Sequence, residues 1–203
     1  MDRMISWVLF DADGVLQRSP DGWRQTLDGL LGDDPEPTLQ ELFTREQQES
    51  LTGGDFRDLV IDVLRRRGLD SDPDRVLDCW RLLIVDTGMI DRVRRMQQLG
   101  LRCALATNQQ NVRVQHMRGM PEYAGVFDAE FYSSELGLAK PDPAFFSAIV
   151  KELDASPDQV LFVDDVAANV TAARTAGIHA ELFAKDGGVP ELDRILDGYG
   201  IQP

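Results

Sequence analysis

Residues 5–10, Ile-Ser-Trp-Val-Leu-Phe, run apolar with little alternation and end on Asp11-Ala12-Asp13-Gly14. A strand with apolar side chains at successive positions is buried on both faces, and such strands belong to parallel sheets covered by helices. Sheets of that kind hold their ligand sites at the carboxyl ends of their strands. Asp11 and Asp13 therefore fall where chemistry is expected. Residues two apart on an extended chain point to the same side. Two carboxylates in one small volume repel, and each favours protonation of the other. A hard cation that prefers oxygen ligands, such as Mg²⁺, relieves the conflict. Gly14 lets the chain turn sharply after the pair. Taken alone, this Asp-x-Asp also fits a turn or the start of a helix.

The remainder of the chain divides into two kinds of pattern. Residues 17–86 show no convincing strand. Helices are expected over residues 23–31 and 38–50, then from Phe56 to the basic turn Arg65-Arg66-Arg67 before Gly68, then from Pro73 behind an Asp72 N-cap. Phe56, Leu59, Val60, Val63 and Leu64 form an apolar stripe at helical spacing. From about residue 87 the pattern alternates. Strands are expected at 101–106, 129–132, 160–163 and 178–183, and helices at 89–99, 111–118, 143–153, 167–176 and 190–196. Alternation of this kind predicts an α/β fold: a Rossmann-like parallel sheet core, residues 1–16 and 87–203, with an inserted α-helical cap domain, residues 17–86.

The 203 residues suffice for one full core plus an insert. A formal net charge of −14 disfavours non-specific binding to nucleic acid or to an anionic membrane. It also means that an anionic substrate needs local cations, from metal, Lys or Arg. Met1-Asp2-Arg3-Met4 leads into the first strand without a secretory pattern, and no apolar run reaches membrane-spanning length. A cytoplasmic location is expected. Cys79 and Cys103 each lie in apolar surroundings and read as buried free thiols. His116 and His179 are isolated and read as a helix-surface and a strand residue, not as ligands. Trp23, Phe56 and Trp80 read as the core of the helical insert.

Three apolar strands end in polar residues: Asp11 and Asp13, then Thr107 and Asn108, then Asp164 and Asp165. Lys140 stands just ahead of a helix start in the loop after a fourth strand. In a parallel sheet all these places share one edge. Carboxylates, a hydroxyl, an amide and an ammonium in one crevice suit phosphoryl transfer. One carboxylate attacks phosphorus, a cation neutralises phosphate charge, and a second carboxylate moves the proton. The ammonium stabilises charge on the transferring oxygens.

These four segments, in this order, resemble the haloacid dehalogenase-like hydrolase superfamily. They read Asp11-Ala12-Asp13-Gly14-Val15, Ala106-Thr107-Asn108, Lys140-Pro141-Asp142-Pro143, and Val163-Asp164-Asp165 with Asn169 beyond. The resemblance implies Asp11 as nucleophile and Mg²⁺ ligand, and Asp13 as general acid/base with its backbone carbonyl on the metal. It implies Thr107 and Asn108 as phosphoryl holders and Lys140 as a bridge between Asp11 and the phosphoryl oxygens. Asp164 and Asp165 become metal ligands, supported by Asn169, and the insert becomes the family's cap. Within that family an acid at the position of Asp13 favours phosphate esters over halides, because an ester oxygen needs a proton and a departing halide does not. Mutase-like members often carry an acid followed by Ser or Thr shortly after the first motif. Here the place reads Gln17-Arg18-Ser19, and Arg18 is expected to meet a second anionic group of the substrate.

The implied protein is a Mg²⁺-dependent phosphatase of a small phosphorylated metabolite. A phospho-acceptor signalling domain, which also gathers acids, a Thr or Ser and a Lys at a sheet edge, is the alternative from another class. A phosphomutase and a 2-haloacid dehalogenase are further alternatives.

Overall fold

A computed structural model describes residues 5–203; the N-terminal residues 1–4, where no leader pattern was read, lie outside the described residues. In chain order the elements are β1 (Trp7–Phe10), β2 (Gln17–Arg18), α1 (Trp23–Asp28), α2 (Glu36–Arg45), a π-helical turn (Glu46–Ser50), α3 (Phe56–Arg67), α4 (Pro73–Arg81) and β3 (Ile84–Val85). Next come α5 (Thr87–Gln98), β4 (Arg102–Thr107), α6 (Asn111–Arg118), β5 (Ala129–Tyr132), α7 (Ser133–Leu136), α8 (Pro143–Glu152), β6 (Val160–Asp164), α9 (Ala167–Thr175), β7 (His179–Leu182) and α10 (Gly188–Asp197).

Five strands form one sheet in the order β5-β4-β1-β6-β7, and all of its pairings are parallel. The alternation of side chains along β1 shows why the strand reads apolar throughout. Val8 and Phe10 pack on one face with Met89, Ile90 and Val93 of α5 and Leu192, Ile195 and Leu196 of α10. Trp7 and Leu9 pack on the other with Phe145, Phe146 and Ile149 of α8 and Val170 and Ala173 of α9. Both faces are thus covered, as an all-parallel sheet requires. The chain steps from β1 outward to β4 and β5, then crosses back to β6 and β7. The direction of winding therefore reverses at β1, which opens a crevice at the carboxyl ends of β1, β4 and β6.

The helical insert builds its own apolar cluster from Leu27, Leu39, Leu42, Phe56, Val60, Val63, Leu77 and Trp80. Trp80 stands 5.1 Å from the Phe56 ring, 5.9 Å from Phe43 and 6.1 Å from Trp23, centroid to centroid. Expected caps are in place. Asp72 accepts from Asp74 N–H with Pro73 at the first helical position, and Gly68 closes α3 at φ +65°. Val112 of α6 is buried in this same cluster, so the insert packs onto the first turn of α6. Asn111 adds a polar tie: its Oδ1 accepts from Phe56 N–H at 3.0 Å and its Nδ2 donates to Asp55 at 2.9 Å.

The structure corrects two expectations. Residues 17–86 are not free of strands, because Gln17–Arg18 pairs antiparallel with Ile84–Val85 where the chain leaves and re-enters the core. A two-residue strand is too short to show alternation. The helix expected over 38–50 is regular only to Arg45, and its last turn widens into the π-helical segment Glu46–Ser50. Cys79 and Cys103 are buried and free, and burial pushes the Cys103 thiol up to about 12. No helix among the described residues is long and apolar enough to cross a membrane.

Candidate active site

Asp11 follows β1 directly, and its N–H donates to Val163 O of β6 at 3.0 Å. That bond sets Asp11 beside Asp164, the last residue of β6. Lys140 enters between them from the loop ahead of α8. Its Nζ lies 2.9 Å from Asp11 Oδ1 and 2.7 Å from Asp164 Oδ2, with side chains 1% (Lys140) and 0% (Asp164) exposed. Burial pushes the Asp11 carboxyl up to about 6, against the pull of the Lys140 ammonium and with a further push from Asp164. Burial alone would lower the Lys140 ammonium; the two carboxylates overcome it and hold the lysine above its ordinary value. Burial, then Asp164, raises the Asp165 carboxyl.

The loop that carries Lys140 is fixed by Asn108. The Asn108 amide donates to Lys140 O at 2.8 Å and accepts from Lys140 N–H at 2.9 Å. Its side chain is thus committed to the lysine's backbone. Asp142 caps α8 by accepting from Ala144 N–H at 2.8 Å, with Pro143 at the first helical position. Across the site, Asn169 donates to both oxygens of Asp164, at 3.2 and 3.0 Å, and Val166 N–H donates to Oδ1 at 2.7 Å. The carboxylate of Asp164 is therefore held from three sides. Thr107 is buried at the end of β4, where its Oγ1 accepts from Gln109 Nε2 at 3.4 Å.

Asp11, Asp164 and Asp165 each present a carboxylate oxygen, and these atoms all lie within 4.8 Å of one another. An all-oxygen, all-anionic donor set of this size suits a hard divalent cation. Gly14 shapes the same place. Its φ is +82°, and a Cβ there would stand 2.2 Å from Asp165 Oδ2. Any side chain at residue 14 would displace a candidate ligand as well as strain the backbone.

Asp13 is not one of these three carboxylates and is held by three donors. Arg113 Nη2 reaches its Oδ1 at 2.7 Å, Gln17 Nε2 reaches the same oxygen at 3.2 Å, and Gln109 Nε2 reaches Oδ2 at 2.7 Å. Gln17 is itself anchored by Tyr123, whose hydroxyl donates to its Oε1 at 2.9 Å. None of these partners was singled out from sequence. Gln17, Gln109 and Arg113 look like turn or helix-start residues, and Arg113 lies a hundred positions from Asp13. Glu46, in the π-helical turn of the insert, was missed as well. Burial pushes its carboxyl up to about 7, against Arg113, and Trp80 Nε1 donates to it at 3.4 Å.

The structure thus brings Asp11, Lys140, Asp164 and Asp165 into one cluster, with Thr107, Asn108 and Asp13 around it. Arg18 is 58% exposed, donates to Ser19 O and faces Asp21 at 3.7 Å. Arg18 lines a cavity of about 660 Å³ that also touches Lys185, Gly14 and Asp165.

A family model for haloacid dehalogenase-like hydrolases matches residues 5–177. A probable phosphoglycolate phosphatase of Pseudomonas putida is 30% identical over 131 residues, which are 64% of this chain and 52% of that protein. The chain thus spans about half the length of that relative. A phosphatase of Mycobacterium tuberculosis is 28% identical over 233 aligned positions, covering 97% of this chain and 99% of that one. Among solved structures, a wild-type HAD family enzyme of Bacteroides thetaiotaomicron in complex with magnesium and inorganic phosphate shares the fold. Its TM-score is 0.74 at 19% identity, over 89% of this chain and 95% of that one.

Proposed function

The chain belongs to the haloacid dehalogenase-like hydrolase family, and we propose that within it the protein is a Mg²⁺-dependent phosphatase acting on a small phosphorylated metabolite. The observation that carries the reading is the buried Lys140 ammonium between Asp11 and Asp164, beside a third carboxylate within ligand distance. Phosphatases among the relatives, and a structural neighbour that holds magnesium and phosphate, support it.

Asp11 is the nucleophile. Its carboxylate oxygen forms a bond to phosphorus as the bond from phosphorus to the ester oxygen breaks. Asp13 gives its proton to the departing oxygen, then takes a proton from the water that attacks phosphorus and frees Asp11 and inorganic phosphate. Lys140 places positive charge beside Asp11, where the phosphoryl oxygens gather negative charge. Thr107 and the backbone at Asn108 hold the phosphoryl group. Asp11, Asp164, Asp165 and the backbone carbonyl of Asp13 would hold Mg²⁺, which neutralises phosphate charge when bound. The helical insert, packed on α6 through Val112 and Asn111, acts as the cap that keeps bulk water from the crevice.

Asp13 also bears on the dehalogenase alternative. Halide departs without a proton, so that reaction has no task for a second aspartate held by three donors. The test is hydrolysis of p-nitrophenyl phosphate. The proposal expects turnover with Mg²⁺, loss of turnover in EDTA, and a drop of at least about a thousandfold in Asp11→Asn. Halide release from a 2-haloacid in EDTA, without phosphatase activity, would reverse the assignment.

A further inference from the structure

We propose that Arg113 is a positioning residue that fixes the Asp13 carboxylate for its two proton transfers, an inference that rests on the phosphatase reading above. The family motifs end at Asn108 and resume at Lys140, and nothing in them assigns a role to the start of α6. The geometry does. Arg113 is 13% exposed, and its Nη2 holds Asp13 Oδ1 at 2.7 Å. Gln17 shares that oxygen at 3.2 Å, and Gln109 holds the other at 2.7 Å. The two carboxylate oxygens thus accept from three N–H donors on three different segments.

Arg113 is itself held. Gln110 caps α6, its Oε1 accepting from the N–H groups of Val112 and Arg113 at 2.6 and 3.0 Å. Asn111 ties the same turn to Asp55 and Phe56 of the insert. The Arg113 charge also acts on Glu46 of the π-helical turn. The arginine is therefore fixed at its backbone by the core–insert junction and at its tip by Asp13.

Such a clamp fixes the place from which Asp13 works in both steps. Asp13 has to donate a proton to the leaving oxygen and later accept one from water, from the same place. A misplacement of about an ångström costs such a step on the order of a hundredfold. A guanidinium holds the orientation of a carboxylate through directed N–H groups, which a lysine ammonium does only as a point charge.

The experiment compares leaving groups. Wild type, Arg113→Ala and Arg113→Lys are mixed, in excess and with Mg²⁺, with p-nitrophenyl phosphate or phenyl phosphate, and one turnover is followed. Phenolate needs the proton more than nitrophenolate does. Arg113→Ala is expected to lose about tenfold or more on phenyl phosphate and less than about threefold on p-nitrophenyl phosphate, with half-saturation within about twofold for both. Arg113→Lys is expected to fall between. Equal losses on the two esters, or weaker half-saturation at an unchanged rate, would overturn the assignment. A crystal structure of Arg113→Lys, or of Arg113→Ala, decides independently of activity. Displacement of the Asp13 carboxylate from Gln17 and Gln109 is expected, and a carboxylate that stays on both refutes the clamp. An inert wild type would sink the phosphatase reading and leave that structural outcome to decide this one.

Discussion

The carboxyl edge of the sheet and the surface of the helical insert are both rich in paired charges, yet the pairs differ in kind. At the sheet edge Lys140 is enclosed between Asp11 and Asp164, away from water. On the insert, Arg57 pairs with Asp74, Arg67 with Glu41 and Arg24 with Glu36, all in contact with solvent. Exposed pairs gain little, because water already solvates each partner. Enclosed pairs depend on each other, because removing one leaves the other charged and dry. The difference teaches where charge serves chemistry. On the proposed reading, the fold buries charge where a phosphoryl group and a cation would complete the set.

Lys140 should therefore dominate any comparison of the two regions. Lys140→Met leaves Asp11 and Asp164 facing each other without the ammonium. In EDTA we expect a loss of about 3 kcal/mol in unfolding free energy, with part of it restored by Mg²⁺. Chemical denaturation with and without the ion measures both. A variant as stable as wild type in EDTA would show that Asp11 and Asp164 do not depend on the ammonium between them.

Glu46 stands between the regions and should give a smaller, pH-dependent effect. Its carboxyl is raised from 4.5 to about 7 in the folded chain, so folding favours the protonated acid. That contribution is full below about pH 4.5 and is lost as pH rises through about 7, at up to about 2 kcal/mol after allowing for its partial exposure. Glu46→Gln should remove this slope, so the difference in unfolding free energy between the two proteins should change between pH 5 and pH 8 by about that amount. A difference independent of pH would mean that Glu46 is solvated as an ordinary surface acid.

Arg57→Ala should have the smallest effect. The pair with Asp74 joins α3 to α4 at 3.2 Å, but both partners are exposed. The midpoint of denaturation should not move measurably. A clear loss would show that the pairs on the insert work as a network and would narrow the contrast drawn above.

Much of this was legible in the sequence, for reasons that can be named. Trp7 through Phe10 read as a strand buried on both faces because the two sides of β1 meet different helix layers. Asp11, Lys140, Asp164 and Asp165 were legible because each is a charged residue placed at a strand end or a helix start, where the parallel topology gathers them. The paired caps Asp72-Pro73 and Asp142-Pro143 marked α4 and α8. The Asp13 clamp was not legible. Gln109 and Arg113 sit on a turn and on the first turn of a helix, where polar residues are ordinary, and only the packing of α6 against β1's loop turns them inward. The π-helical turn was hidden because its residues, Glu46 to Ser50, also suit a regular helix. The two-residue ribbon of β2 and β3 carries too few residues for any periodicity.

The central claim is that Asp11 takes the phosphoryl group. Mixing the protein with p-nitrophenyl phosphate and Mg²⁺, quenching in acid within one turnover, and mapping peptides by mass spectrometry tests it directly. The account predicts one added phosphoryl group on the peptide that carries Asp11, and none in Asp11→Asn. Turnover that persists in Asp11→Asn, with no phosphoryl group on that peptide in wild type, would contradict it.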